Sequence, residues 1–280
     1  MRLVATLATI IALSGICLLF IVIGGFGLQT LASNPSLTLH FGWNPKANEF
    51  GVLTMLANSL TLSFSTLLVA FPLALGVASF LILPPKSKIN KILQGYLSFL
   101  VRLMGSIPTV LYAFGALFLL VPLLREAFGG SGRNLLACIC VLSFVILPTM
   151  ILLLESGLKK PFMHQYFNGL ALGMHSFETL IFVVIPKAKS VLIGAFLLGF
   201  GRAFGDTMIA LMLSSNALIF ATSLFEPLRV LSAHIALITA NESIGNAYNA
   251  LFISGFLLIL INAFLALIAR GILHRNSQNL

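Results

Sequence analysis

The run LLACICVLSFVILPTMILLL, from Leu135 to Leu154, contains no charged side chain, and its only hydroxyl groups belong to Ser143 and Thr149. A helix rises 1.5 Å per residue, so about 20 apolar residues cross a hydrocarbon layer of about 30 Å. This run is long enough to do so. Of the 280 residues, 59% are hydrophobic and 8% are charged, against roughly 25% charged in an average soluble domain. A soluble enzyme of this size needs polar side chains to cover its surface, and these are missing. The same composition excludes an extracellular disulfide scaffold and a disordered chain. The formal charge of +9 lies in short scattered clusters, which suits membrane orientation rather than nucleic acid.

Five more stretches read the same way: about 3–28, 52–83, 107–124, 191–213 and 247–269. The first is longer than the roughly 7–15 apolar residues of a secretory signal and reads as a retained helix. The length of the second suggests tilt or an extension beyond the membrane. An interfacial helix holding Ile92, Leu93, Tyr96 and Leu100 precedes the third. The expected fold is therefore an all-α integral membrane protein of six helices, with residues 1–280 forming one transmembrane domain.

With the N-terminus inside, the inner side holds Arg2, Lys86, Lys88, Lys91, Lys159, Lys160, Lys187, Lys189, Arg270 and Arg275. The outer side holds Lys46, Arg125, Arg133 and Arg229. Ten against four is a positive-inside bias, and it predicts that both termini are cytoplasmic. Asn34-Pro35 and Trp43-Asn44-Pro45 mark an outer loop. Between Glu155 and Ala188, Phe162, Tyr166, Leu170, Leu172, Phe177, Ile181 and Val184 recur at near-helical spacing around Gly169 and Gly173. That spacing predicts short amphipathic helices, either lying on the membrane surface or docking a soluble partner.

Small classes of residue exclude other chemistry. Cys17, Cys138 and Cys140 lie inside apolar runs, and the histidines show no metal-ligand spacing, so no metal site is expected. No phosphate-binding Gly-x-x-x-x-Gly-Lys-Ser/Thr loop and no Gly-x-Ser-x-Gly elbow occurs. The chain is thus not expected to hydrolyse ATP. Its energy must come from a partner or an ion gradient.

The charged pair inside the fifth stretch carries most information. In Gly199-Phe-Gly-Arg-Ala-Phe-Gly-Asp-Thr-Met208, Arg202 and Asp206 stand four apart, which on a continuous helix places them on one face. Gly201 and Gly205 share that spacing, as do Ala195, Gly199 and Ala203, and small residues so spaced let a neighbouring helix approach closely. An ionised side chain at a helix centre is costly and usually faces the protein interior. Two roles fit: a salt bridge that locks helix packing, or a charge gate on a hydrophilic path. A guanidinium fork matches tetrahedral oxyanions, and a nearby carboxylate would weaken its hold on them.

This block resembles the Gly-x-Gly-Arg-Ala-x-Gly-Glu-Thr-Met stretch of the membrane permeases of bacterial high-affinity phosphate ABC importers. Similar matches occur at Trp43-Asn-Pro45 with Phe50-Gly51, at Ser106-Ile-Pro-Thr-Val-Leu-Tyr112 and Leu119-Leu-Val-Pro-Leu-Leu124, and at Leu228-Arg-Val-Leu-Ser-Ala-His-Ile235. Thr-Met after the acid is like the C-type subunit. Phe167-Asn-Gly-Leu-Ala-Leu-Gly173 followed by Val183-Val-Ile-Pro186 resembles the Glu-Ala-Ala-x-x-x-Gly … Ile/Val-x-Leu-Pro loop of type I ABC importer permeases. The resemblance implies the type I permease fold and places Gly169, Leu172, Gly173 and Pro186 at the contact with an ATPase. It also implies Arg202 and Asp206 on the substrate path, and packing roles for Gly199, Gly201 and Gly205. Implied partners are a second permease subunit (a paralogue or the chain itself), two cytoplasmic ATPases that bind ATP and Mg, and an external phosphate-binding protein. The location implied is the bacterial inner membrane.

Three positions depart from the family pattern. Phe167 stands for the acid of the loop motif, Asp206 for the usual Glu, and Arg102 where these permeases tend to carry an acid. Arg102 is expected to reach lipid phosphate, rather than pair with Glu155 or Glu178. Phosphate is the expected cargo. Another oxyanion (tungstate, molybdate or sulfate) and an ATP-independent carrier are the alternatives, and a membrane-embedded enzyme lacks a fitting cluster of His, Asp and Glu.

Overall fold

A computed structural model describes residues 2–33, 40–44, 47, 49–241 and 246–277. Asn34-Pro35 and Pro45-Lys46 of the expected outer loop lie outside the described residues, as do the side chains of Arg2 and Arg275. The helices are α1 (Arg2–Ser33), α2 (Leu53–Ile82), α3 (Lys88–Ser106), α4 (Thr109–Phe128) and α5 (Leu135–Ala171). They continue as α6 (Ser176–Lys187), α7 (Lys189–Gly205), α8 (Met208–Leu213), α9 (Leu231–Asn241) and α10 (Asn246–Ser277). A small antiparallel hairpin of β1 (Trp43–Asn44) and β2 (Glu49–Phe50) pairs Trp43 with Phe50. Among the described residues five helices (α1, α2, α4, α5 and α10) are long and apolar enough to span a membrane, and the count reaches six where the bent pair α6–α7 is taken as one span. The chain is an all-α, multi-pass membrane protein.

α5 is the axis of the fold. Cys138, Leu142, Ile146, Met150 and Leu154 are all buried, and so are residues on its other sides such as Ala137, Val145 and Ile151. A helix apolar all round is a helix enclosed by others. α2 packs along α5, α7 packs against both, and α4 lies beside α5 and α8. By contrast α1 is exposed along most of its length and touches the rest through α10. Gly27 permits that contact, since a Cβ there would lie 2.8 Å from Phe256 Cβ and 2.9 Å from the Phe252 carbonyl. The Phe26 and Phe252 rings stand 5.1 Å apart. The end of α1 therefore meets the start of α10, which runs back antiparallel.

Two expected boundaries differ. The fourth crossing does not end at Leu154. α5 continues to Ala171 through Pro161, because Leu158 and Phe162 on either side of the proline remain in the core. The stretch 162–171 is thus the end of a long helix rather than a separate amphipathic one. The fifth crossing is not one helix over 191–213. α7 stops at Gly205, Asp206 takes an extended backbone (φ −70°, ψ 123°), and α8 restarts at Met208. At its other end α7 meets α6 at a bend of 76°.

The two ends of the molecule have different character. At one end, loop 214–230 is drawn into the bundle by Asn58 of α2, which is fully buried. Its amide nitrogen donates to the Ile219 carbonyl (2.8 Å) and the Arg229 carbonyl (3.1 Å), and its oxygen accepts from Ala221 N (3.2 Å). The same loop caps α5, with Leu135 N and Leu136 N donating to the carbonyls of Glu226 and Leu224. At the opposite end, Gln94 of α3 donates to the carbonyls of Phe80 and Leu83 at 2.7 and 2.8 Å, which holds α3 under the last turn of α2. Only Val101 of α3 is buried, while Ile89, Ile92, Tyr96 and Phe99 are exposed, the pattern of a helix lying in an interface.

Candidate functional site: the Arg202 groove and the α5–α6 turn

Two sides of α7 do different work. Ala195, Gly199 and Ala203 are buried, and a Cβ on Gly199 would meet Met150 Sδ at 2.7 Å and Leu67 Cδ2 at 3.0 Å. Gly199 thus allows α7 to lie close on α5 and α2. On another side, Gly194, Leu198, Gly201 and Arg202 line a groove of about 990 Å³ between α5, α7 and α10. A Cβ on Gly201 would stand 3.4 Å from Asn262 Oδ1 of α10. Among the described residues nothing lies within 4 Å of a Cβ at Gly205, so the packing expected there is not made by them.

Arg202 is exposed to this groove, and its Nη1 donates to the Thr149 hydroxyl of α5 at 2.5 Å. The salt bridge with Asp206, one of the two roles open to the pair, is not formed. The helix breaks before the carboxylate, and Asp206 Oδ1 accepts instead from Ile209 N at 2.9 Å, in the manner of a cap on α8. The Asp206 carbonyl, freed by the break, accepts from Ser232 Oγ of α9 at 2.9 Å. The assumption that failed was a continuous helix; Gly205-Asp206-Thr207 is itself stop-and-start chemistry. Asp206 does not line the groove. Asn262 and Arg270 of α10 do, and so does Leu153 of α5. Sequence reasoning missed Thr149 and Asn262, although a polar group within an apolar run was a usable signal. It took Arg270 only as a marker of orientation.

At the opposite end of α5 the residues singled out by spacing form a tight turn. Leu172 closes α5, Gly173 follows at φ +79°, a left-handed conformation that favours glycine, and Met174 N donates back to the Gly169 carbonyl at 3.0 Å. A Cβ on Gly169 would overlap the Thr179 hydroxyl of α6, so glycine lets α6 fold against the end of α5. α6 starts with a capping box in which Glu178 Oε2 accepts from His175 N at 2.7 Å, passes through a widened turn over Thr179–Val184, and carries Pro186 in its last turn. Leu180 and Val184 are buried beneath it. Phe167, Leu172 and Phe182 point outward, at 70%, 80% and 71% exposure. Arg102 is also exposed and pairs with neither Glu155 nor Glu178 among the described residues.

This architecture is similar in fold to that of a solved ABC transporter. A solved structure of the MetNI methionine ABC transporter, in an inward-facing conformation, superimposes with a TM-score of 0.59 at 17% identity, over 81% of this chain and 94% of that one. No protein-family model matches the chain. Among curated proteins, it is 28% identical over 271 residues to the probable ABC transporter permease protein YqgH of Bacillus subtilis, covering 94% of this chain and 86% of the relative. It is 27% identical over 288 residues to the phosphate transport system permease protein PstC of Mesorhizobium japonicum (92% and 86% covered), and 28% identical over 261 residues to that of Pasteurella multocida (86% and 80%). The chain resembles the C-type permease subunits of phosphate ABC importers.

Proposed function

We propose that this chain is a permease subunit of an ATP-driven ABC importer of the bacterial inner membrane and forms half of the path for inorganic phosphate. The observation that carries this reading is Arg202, an exposed guanidinium held by Thr149 on a groove between membrane-spanning helices. A fixed fork of N–H donors suits transient contact with a tetrahedral oxyanion. Similarity to the PstC relatives supports phosphate as that anion.

The exposed apolar turn around Leu172 and Phe182 is where a cytoplasmic ATPase docks, with ATP and Mg bound on that partner and no cofactor on this chain. Closure of the ATPases would pull on α6, and α6 meets α7 at the bend that leads directly to Arg202. Gly169, Leu172, Gly173 and Pro186 shape that joint. Lys86, Lys88, Lys91, Lys159, Lys160, Lys187 and Lys189 flank the same end, and the positive-inside bias supports reading it as the cytoplasmic one. A second permease subunit completes the path, and Gly205 offers it a face with open space. An external binding protein supplies affinity.

The test is uptake of labelled inorganic phosphate into proteoliposomes that hold the chain with its second permease subunit, ATPase and binding protein. ATP-dependent uptake, resistant to excess sulfate, molybdate and tungstate, is the expected result. Stronger competition by one of those anions reassigns the cargo. Transport by the chain with no ATPase present overturns the importer reading.

A further inference from the structure

The groove that exposes Arg202 holds a second cation with no part in the site so far. Among the described residues Arg202 and Arg270 both line it and no Asp or Glu does; the remainder is mainly leucine, alanine and glycine, with Asn262. Asn262, Ala266 and Arg270 follow one another at intervals of four on α10 and share a face. Asn262 stands beside Gly201, level with Arg202. Eight residues of helix then place Arg270 about 12 Å nearer the ATPase-facing end. An anion released by Arg202 would otherwise pass between Leu153, Leu198 and Leu265 with no polar partner, and such desolvation is costly.

The geometry points to Arg270 as a second oxyanion-binding residue of the path, which receives the tetrahedral anion as it leaves Arg202 on the way to the cytoplasmic end. This rests on the reading of Arg202 given above. The same guanidinium could hold the phosphate of a lipid headgroup, and the experiment separates the two sources.

The complete transporter is reconstituted with Arg270→Gln, Arg270→Lys or Arg202→Gln, in phosphatidylcholine vesicles with and without phosphatidylglycerol. Uptake of labelled inorganic phosphate and ATP hydrolysis are measured together. Arg270→Gln is expected to lower uptake several-fold in both vesicle types at unchanged ATP hydrolysis, so that fewer anions move per ATP, while Arg270→Lys retains most of the rate. Wild-type uptake by Arg270→Gln overturns the assignment, and so does a loss confined to vesicles with phosphatidylglycerol, which marks a lipid clamp. If Arg202→Gln alone loses uptake, the path stands and Arg270 is off it. If neither variant loses uptake, the path reading itself fails. Should Arg270→Gln fail to assemble, Ala266→Glu decides: a carboxylate one turn before Arg270 is expected to occupy its guanidinium and slow uptake, and Ala266→Gln is not. Equal uptake by those two variants overturns the proposal.

Discussion

Arg202 of α7 is held by Thr149 of α5, its Nη1 standing 2.5 Å from the hydroxyl oxygen, while Asp206, four residues on, turns away to cap α8. The orientation of the guanidinium therefore depends on a hydroxyl in a different helix, next to Pro148, and not on the carboxylate nearest in sequence. A hydrogen bond to a charged group contributes about 1.5–3 kcal/mol when shielded. Arg202 is exposed, so the lower end applies. Thr149→Val keeps the shape and removes the acceptor. It is expected to leave membrane abundance unchanged and to lower phosphate uptake by about tenfold or less, with Thr149→Ser restoring it. Uptake normalised to abundance checks this.

The packing side of α7 gives a separate prediction. Gly199 leaves no room for a Cβ between Met150 and Leu67, and overpacking a filled core costs about 1–3 kcal/mol. Gly199→Val is expected to lower the thermal unfolding temperature of the detergent-solubilised chain. Gly205→Ala, with open space around it, is expected to leave that temperature unchanged. Equal effects at both positions would show that intrinsic helix propensity, and not the α5–α7 contact, governs.

The membrane crossings were legible because hydropathy over a span of lipid leaves few alternatives. The joints between them were less so. Glu155, Lys159, Lys160 and Pro161 look like the end of a helix, yet α5 runs through them because Leu158 and Phe162 stay in the core; tertiary burial outweighed a local stop signal. At Asp206 the error was the opposite one. Apolar periodicity continues across the break, so the pattern hid a capping carboxylate. Arg202, Gly199 and the Gly169–Gly173 turn were visible as residues, since charge, close approach and positive φ each demand a particular side chain or the lack of one. Their partners Thr149, Met150 and Thr179 lie on other stretches of chain, and spacing along one helix does not reveal them.

Asn58 holds loop 214–230. Replacement by Leu would leave the Ile219 and Arg229 carbonyls and Ala221 N without their partner in a buried site, and each unsatisfied group costs about 1–3 kcal/mol. Asn58→Leu is therefore expected to loosen 214–230 while leaving the bundle intact. Hydrogen exchange should quicken at Ala221 and around it, with no change in the centre of α5. Uniform quickening would mean that Asn58 supports the whole fold rather than the loop.

The same loop has a pH dependence of its own. Thr222 N, the Thr222 hydroxyl and Ser223 N all donate to the Glu226 carboxylate, with 2.7 Å for the closest, and hold it below its ordinary range. A lowered folded-state value means the turn gains from ionisation above the unfolded carboxylate value of about 4.3, and loses that gain as pH falls through the lower folded value. Order at 222–226 should accordingly persist at neutral pH and decline only in strong acid. Glu226→Gln should show the acid-form mobility already at pH 7, read by hydrogen exchange of Thr222 and Ser223.

The last prediction concerns the apolar turn at the α5–α6 joint. Leu172 and Phe182 are among the most exposed large apolar side chains outside the spanning helices, at 80% and 71%, and they flank the α5–α6 joint that Gly169 and Gly173 make possible. An exposed apolar cluster of this kind marks an interaction surface, for a protein partner or for the membrane. The alternative cover is the lipid headgroup layer, which tolerates lysine because its ammonium can reach phosphate. Leu172→Lys with Phe182→Lys thus separates the two. If an ATPase covers the turn, burying two ammonium groups in an apolar interface should abolish co-purification of the ATPase in mild detergent, with the permease still abundant and folded. If lipid covers it, the ATPase should come along as before. Gly169→Val gives an independent arm: its side chain would strike Thr179 and push α6 off α5, so ATPase retention should fall even though the apolar surface is untouched.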